Sequence, residues 1–416
     1  MTERFDSIIV GAGASGLAAA AFSTGRTLVL ERLAKPGRKL LATGGGRCNF
    51  THDWTALEVM EAFGKRGRFA TDALRAWDPE GIRGFLEDGG VECVVEPDGC
   101  VFPRSGKSSD VLDVFLAAAE AAGARIRCGV RVARVLTDES GREARGVETS
   151  DGGIFLAPKV VLAAGGKCRS GLGSDGSGFE IASALGLEIA PVYPALGSLE
   201  VAEKWVGLLA GIGLPDVSLR IAGRGGRPLE AHGAVLFTHR GLSGPAALQL
   251  SGDIAQAIRA GGRPVAVELA FVNGRDAGDW CEIFDGWRYL RGARLVRNLL
   301  SESLPKALAA ELCELSGVQG TLVAASLGRE QVRRLSELCS KCSLTVTATD
   351  GWDAAMVTRG GVSLKELNPR TMESLKVRGL HCVGELVDLD APCGGYNLTW
   401  AFASGRLAAS ALARED

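Results

Sequence analysis

The hydrophobic pattern is clearest at the N-terminal end. In FDSIIVGAGASGLAAAAFSTGRTLVLE (residues 5–31), a short apolar run at Ser7 to Val10 leads into a glycine turn and an alanine-rich stretch. A second apolar run, Thr27 to Leu30, then ends on Glu31. This pattern predicts strand, helix, strand: one βαβ unit. Residues 108–136 predict a helix (SDVLDVFLAAAEAAG) and an alternating strand pair around Arg125 to Leu136, with hairpin signals at Asp138 to Gly141 and at Asp151-Gly152. KVVLAA (159–164) is apolar without alternation, which predicts a strand buried on both faces, as in a parallel sheet.

From about Pro191 the texture changes to short alternating stretches (VSLRIA, AVLFT, PVAVELAF) broken by Gly and Pro, the signature of a small β domain. Between about Asp276 and Cys342, GARLVRNLLSESL, PKALAAELCELSG and REQVRRLSELCSK carry apolar residues at helical spacing. SLTVTAT (343–349) returns to strand character, and the segment from Gly379 gives a strand, a glycine-rich turn and a closing helix from Asn397. The expected organisation is an α/β Rossmann-like domain interrupted by a β-barrel domain carrying a helical insert. Its parts are residues 1–190 and 353–416 (the two halves of the nucleotide-binding domain), 191–275 (barrel), 276–342 (helical insert) and 343–352 (returning barrel strand).

Composition narrows the function classes. The 47 Lys and Arg nearly cancel the 49 Asp and Glu, which argues against electrostatic capture of nucleic acid or of an anionic membrane. The 57 glycines against 14 prolines, with no collagen period, fit many tight strand-to-helix turns. Eleven scattered cysteines do not form a disulfide framework and favour a reducing, cytoplasmic setting. The apolar run Ile8 to Phe22 holds three glycines at functional spacing and follows an acidic leader, so it reads as folded protein and not as a secretion signal. No apolar stretch reaches the ~18–20 residues of a membrane span, so a soluble protein is expected.

Gly11-Ala-Gly13-Ala14-Ser15-Gly16 follows a predicted strand and opens a predicted helix, and Glu31 lies at the end of the next strand. The first glycine permits the turn, the second lets backbone approach a pyrophosphate, and the third allows close helix–strand packing, while the carboxylate suits a ribose diol. A second match, Gly171-Leu-Gly173-Ser-Asp-Gly176, lacks both an abutting strand and a following acid, and reads as a loop leading into a helix beside the first ligand. The C-terminal segment GLHCVGELVDLDAPCGGYNLTWAFASGRLAA places Glu385 after a strand and a Gly394-Gly395 turn before a helix, and so resembles the closing segment of two-dinucleotide-binding-type flavoproteins. That resemblance implies FAD instead of NAD, with the helix's positive end facing the negative charge of a reduced flavin.

The blocks GRKLLATGGGRCNFTH (37–52), VFPRSGKSSDVL (101–112), LFTHRGLSGPAALQLS (236–251), MVTRGGVSLKELNPRTMESL (356–375) and GELVDLDAPCGGYNLTWAFASG (384–405) resemble the signatures of the HI0933-like, or BaiN-like, flavoprotein family. The resemblance covers nearly the whole chain and implies a two-dinucleotide-binding-type flavoprotein similar in fold to fumarate-reductase-type enzymes. It implies non-covalent FAD held by the Gly11–Gly16 turn, Glu31 and Arg32, with Gly37, Arg38, Lys39 and the loop of Gly45, Gly46 and Arg47 around pyrophosphate and isoalloxazine. Val132 backbone would lie beside adenine, with Ala163, Ala164 and Gly165 along the cofactor. Gly361, Glu385, Gly395, Asn397 and Leu398 complete the implied set.

The family implies an NAD(P)/FAD-dependent oxidoreductase without fixing the substrate. The expected chemistry is reduction or oxidation of a small organic molecule at a carbonyl-activated carbon, with NAD(P)H as electron partner. A flavin-dependent amine oxidase and a flavin-binding regulatory or scaffold protein are the alternatives. Candidate catalytic groups are His239, Arg240 and Tyr396, with Arg104, Lys107 and Arg169 as further cations. Neither a metal site nor a nucleic-acid or membrane partner is expected. Cys339-Ser-Lys-Cys342 has no second ligand pair and reads as a helix end, and Cys48 reads as apolar packing.

Overall fold

The computed structural model describes residues 3–222 and 229–413. The chain forms two compact units, Met1–Tyr193 with Trp352–Asp416, and Pro194–Gly351.

The first unit is built on a five-stranded parallel sheet. Its strands are β1 (Ser7–Val10), β2 (Thr27–Glu31), β3 (Arg125–Cys128), β4 (Lys159–Leu162) and β5 (Leu380–Cys382), in the spatial order β5-β4-β1-β2-β3. Every residue of β1, β2 and β5 is buried, which is why their sequences show apolar runs and not alternation. The register aligns Ile8 with Leu28 and with Val160, so β1 lies at the centre.

Helix α1 (Ala14–Ala21) crosses between β1 and β2, α2 (Ser108–Ala121) precedes β3, α3 (Ser177–Ala184) follows β4, and α4 (Tyr396–Leu412) follows β5. Small residues let α1 and α4 pack backbone to backbone: a Cβ on Gly405 would lie 2.2 Å from the Ser15 carbonyl oxygen. Beside them Phe115 and Phe402 stack with ring centroids 4.6 Å apart.

The second unit is a closed six-stranded barrel in the order Leu199–Val201, Gly241–Ser243, Glu230–Phe237, Gly213–Ile221, Val265–Ala270, Cys342–Thr349, and back to the first strand. All its pairs are antiparallel. Between Val265–Ala270 and Cys342–Thr349 run the helices Ala277–Leu290, Val296–Leu300, Lys306–Leu315 and Arg329–Ser340. Two features depart from the alternating texture. Ile189–Ala195 pairs with Val357–Val362 outside the barrel. Pro245–Gly261 is a helix that buries Ala246, Ala247, Leu250 and Ile254. Its Pro at the first position follows Gly244, whose φ of 93° only glycine adopts readily.

The fold class is α/β: a Rossmann-type parallel sheet, a closed barrel and helices. No helix among the described residues is long and apolar enough to cross a membrane.

Candidate active site

The β1–α1 turn has the shape of a dinucleotide cradle. Gly11 has φ 103°, and a Cβ there would lie 2.5 Å from the Ala163 carbonyl oxygen; a Cβ on Gly16 would lie 1.9 Å from the Gly11 carbonyl oxygen. A Cβ on Gly13 would meet nothing within 4 Å, so the turn is closed on its packed side and open on the other. Helix α1 starts there with no side-chain cap and no acid in its first turn, leaving its positive end to an anionic ligand.

Glu31 is buried, and its carboxylate accepts from the Ala12 and Leu33 amides, each at 2.8 Å. The acid therefore ties the glycine turn to the end of β2 while keeping unused lone pairs. Arg32 points to the loop before α3, donating to the Ser170 carbonyl at 2.6 Å and lying 3.6 Å from Asp175. This is the loop of the second glycine match, and its Asp175 also holds Arg131 at 2.8 Å.

The C-terminal half meets the N-terminal half through Glu385. One carboxylate oxygen accepts from Lys39 Nζ at 2.6 Å and the other from the Thr358 amide at 2.8 Å. The Thr358 hydroxyl in turn accepts from the amides of Lys167 and Cys168, fixing the segment that follows Gly165. Helix α4 begins at Gly395, again without an acid in its first turn or a side-chain cap. Gly395 has φ 84°, and a Cβ there would lie 2.4 Å from the Thr51 carbonyl oxygen. Asn49, with its amide oriented to suit its neighbours, donates to that same carbonyl at 2.8 Å and accepts from the Gly395 amide at 3.3 Å. The Asn397 side chain clamps the loop before α4, exchanging hydrogen bonds with the Ala391 amide (2.9 Å) and carbonyl (2.7 Å).

The other predicted positions fall around these points. Gly37 caps the short helix Arg38–Ala42 in the left-handed region, and Arg38 is exposed. Gly45 and Gly46 are left-handed with open space where a Cβ would be. The Arg47 guanidinium lies 4.1 Å from the Phe102 ring centre and pairs with Glu96. Val132 opens a strand of a separate four-stranded sheet. Ala163 and Ala164 back onto Gly11, and Gly361 lies against the Leu386 carbonyl. The Leu398 amide donates to the Gly395 carbonyl oxygen.

Tyr396 is buried in a stack of three rings, 5.2 Å from His52 and 5.1 Å from Trp54 between ring centres. Burial pushes its phenol pKa well up, so it keeps its proton. Burial also lowers the pKa of His52, whose Nε2 meets the Asp98 carbonyl at 3.0 Å while its buried Nδ1 has no partner.

His239 and Arg240 belong to the barrel unit, in the turn between Glu230–Phe237 and Gly241–Ser243. Both are exposed, and Arg240 pairs with Glu200. Arg104 pairs with Glu92 at 2.8 Å, and the Arg169 amide donates to the Trp352 carbonyl. Cys339 and Cys342 are buried, and burial raises both thiol pKa values, that of Cys342 to about 12; Cys48 is likewise buried and raised to about 12. Sequence reasoning missed Asn49, Thr358 and Asp175. Asn49 meets Gly395 346 residues away, Thr358 meets Lys167 191 residues away, and Asp175 meets Arg131 44 residues away in a loop whose motif pointed elsewhere, so no local pattern assigns their roles.

A parallel sheet with two acid-free helix starts, and a carboxylate joined to a lysine from the opposite half of the chain, suit a bound dinucleotide, and the class is an oxidoreductase of the flavoprotein type. Within it the chain belongs to the HI0933-like family, since the HI0933-like protein Rossmann domain matches residues 5–411. It is 34% identical over 412 residues to a 3-dehydro-bile acid delta(4,6)-reductase of Clostridium scindens, covering 97% of this chain and 98% of that one. It is 31% identical over 408 residues to a ribosomal RNA dihydrouridine synthase of Escherichia coli K12, covering 97% and 96%. The solved 3-ketosteroid-delta4-(5alpha)-dehydrogenase of Rhodococcus jostii RHA1 shares the fold, with a TM-score of 0.52 at 18% identity, covering 99% of this chain and 97% of that one.

Proposed function

We propose that the protein is an FAD-dependent reductase of a carbon–carbon double bond conjugated to a carbonyl, with NAD(P)H as electron donor. The observation that carries the cofactor reading is the arrangement of the two helix starts: Gly13 opens onto free space at one, and the Lys39–Glu385 pair stands near the other in sequence. Glu31 would take the adenosine ribose and the α1 start the pyrophosphate, with the α4 start facing the flavin pyrimidine. Bound FAD supplies a hydride acceptor and donor.

Support for the reaction class comes from the names of two relatives. A delta(4,6) reduction of a 3-dehydro bile acid and the conversion of uridine to dihydrouridine each add two hydrogens across an alkene conjugated to a carbonyl. The balance is NAD(P)H plus one proton plus alkene, giving NAD(P)⁺ and the saturated product. Hydride goes to the carbon β to the carbonyl and a proton to the α carbon. Tyr396, neutral and buried, is the proposed proton donor in the Rossmann unit.

The test is anaerobic reduction of the yellow holoprotein by NADH and by NADPH, followed by reoxidation with a 3-oxo-4,6-diene steroid and with a uridine-containing rRNA fragment. Reoxidation by either, with the saturated product recovered, is expected. Tyr396→Phe should keep FAD and slow that step. Colourless protein that takes up no FAD defeats the reading, as does reduced flavin that only an amine-linked oxidase cycle, releasing hydrogen peroxide, accounts for.

A further inference from the structure

The start of α4 is held by one short strand, Thr51–His52. The Thr51 carbonyl oxygen sits so close that a Cβ on Gly395 would lie 2.4 Å from it, and the Thr51 hydroxyl is 2.8 Å from that of Thr399. The next side chain, His52, covers Tyr396, the residue that opens the helix. The two rings are nearly parallel, 19° apart, with centres separated by 5.2 Å. Trp54 lies against both, its ring centre 4.3 Å from that of His52 and 5.1 Å from that of Tyr396.

His52 is itself fixed from the other side. Its strand pairs with Cys100–Pro103, His52 standing opposite Cys100, and the preceding turn brings the Asp98 carbonyl oxygen to 3.0 Å from Nε2. A carbonyl oxygen only accepts, so this contact assigns the ring hydrogen to Nε2 and leaves Nδ1 a bare acceptor. Gly99, with φ 81°, makes the slot for the ring: a Cβ there would lie 2.2 Å from His52 Cε1. His52 is 4% exposed, and its Nδ1 has no partner among the described residues. Burial holds the imidazole pKa below its ordinary value, against the Asp98 hydrogen bond and the charges of Asp98, Asp53 and Glu58. A neutral ring whose hydrogen is committed to a backbone carbonyl has no proton to pass on. What it offers is its flat face, and that face lies on Tyr396.

A tyrosine hydroxyl is placed by the torsions of its ring, and a proton donor must come within about 2.6–3.2 Å of its target, so a ring free to swing misses. We propose that His52 is a positioning residue, its ring fixing the plane of Tyr396 so that the phenol meets the α carbon of a conjugated alkene as hydride reaches the β carbon. The phenol O–H bond breaks as the α C–H bond forms, and the phenolate recovers a proton from solvent. The catalytic half of this inference rests on the reading of Tyr396 as proton donor; the fixing of the ring does not.

The chain has three tyrosines, Tyr193, Tyr289 and Tyr396, so fluorine NMR of holoprotein labelled with 3-fluorotyrosine is sparse, and Tyr396→Phe identifies the resonance of residue 396. His52→Leu, or the more pliant His52→Met, fills the slot without an aromatic face. Either should move that resonance by more than its linewidth. In unlabelled protein, with FAD content unchanged, either should slow flavin reoxidation about tenfold, using whichever of the 3-oxo-4,6-diene steroid and the uridine-containing RNA fragment is accepted. In a Tyr396→Phe background the same change should cost less than about twofold, since the two residues act as one unit. His52→Phe returns a flat ring to the slot and should restore the resonance and bring the rate to within about threefold of wild type. A resonance indifferent to His52→Leu and His52→Met, a His52→Phe variant no better than these, or equal losses in both backgrounds overturns the positioning role. A Tyr396→Phe variant that reoxidises at the wild-type rate overturns the proton-donor reading instead, and the resonances then decide alone whether His52 holds the ring.

Discussion

The Glu31 carboxylate holds the Ala12 and Leu33 amides and, in the proposed cofactor site, would use its remaining lone pairs on a ribose. A charge-assisted hydrogen bond is worth ~1.5–3 kcal/mol, so Glu31→Ala should weaken FAD retention roughly 10- to 150-fold in titrations of apoprotein. Asp388→Ala should weaken it less, because that carboxylate is engaged with Arg66. Comparable losses would show that the acids have been assigned the wrong way round. Asp175 offers a pH test. Burial works against its charge, but hydrogen bonds from Ser177 and Arg131 and the nearby Arg32 outweigh it, bringing the pKa from 3.8 down to about 2. A carboxylate depressed in the folded state stabilises above its unfolded pKa, and that contribution disappears as pH falls from about 4 through about 2. Asp175→Asn should therefore cost at most about 2 kcal/mol in urea unfolding at pH 7, with wild type and variant converging at the acid end. A gap that persists at pH 2 would mean packing, not charge, is responsible.

Among the elements, the CxxC spacing invites a redox reading that the structure does not support. Cys339 ends a helix, Cys342 begins a barrel strand, and both thiols are buried and held protonated. Replacing both by Ser should leave the rate of flavin reduction unchanged and lower the thermal midpoint, since each buried hydroxyl without a partner costs ~1–3 kcal/mol. A large fall in flavin turnover with normal FAD content would restore the redox role. The sequence predicted well wherever burial imposed a pattern: β1, β2 and β4 read as unbroken apolar runs, and the two glycine turns declared helix starts. It predicted poorly where a helix sat among strands. In Pro245–Gly261 the spacing of Ala246, Ala247, Leu250 and Ile254 was helical, but the surrounding Gly-broken alternation dominated the reading. In the site, Lys39 and Glu385 were both identified singly, yet their contact spans 346 residues and only the fold reveals it. Thr358 and Asn49 act on backbone groups; both lie inside blocks that resemble the family signatures, but nothing in those blocks singles out either residue.

For the whole molecule, the barrel unit is one continuous stretch, Pro194–Gly351, whose buried residues form their own core. The first and last barrel strands pair with each other, Leu199 opposite Thr349, so closure needs nothing from outside the stretch. Residues 194–351 expressed alone should give a cooperative thermal transition, strand and helix circular dichroism, and no bound flavin. A non-cooperative melt would show that the barrel depends on the rest of the chain.

The Rossmann sheet has no such independence, and this has a consequence in time. Strand β4 lies between β1 and β5, but about 220 residues separate the end of β4 from the start of β5. At the ~5–20 residues per second of synthesis, a nascent chain waits roughly 10–40 s with the backbone edge of β4 unpaired. Val160, Val161 and Leu162, fully buried in the finished protein, lack their β5 neighbours throughout that wait. A chain halted just after Thr349 already has every barrel strand, yet it lacks Glu385 and Gly395. Such a chain would be a half-built protein with an adhesive sheet edge and without the residues proposed to hold its cofactor.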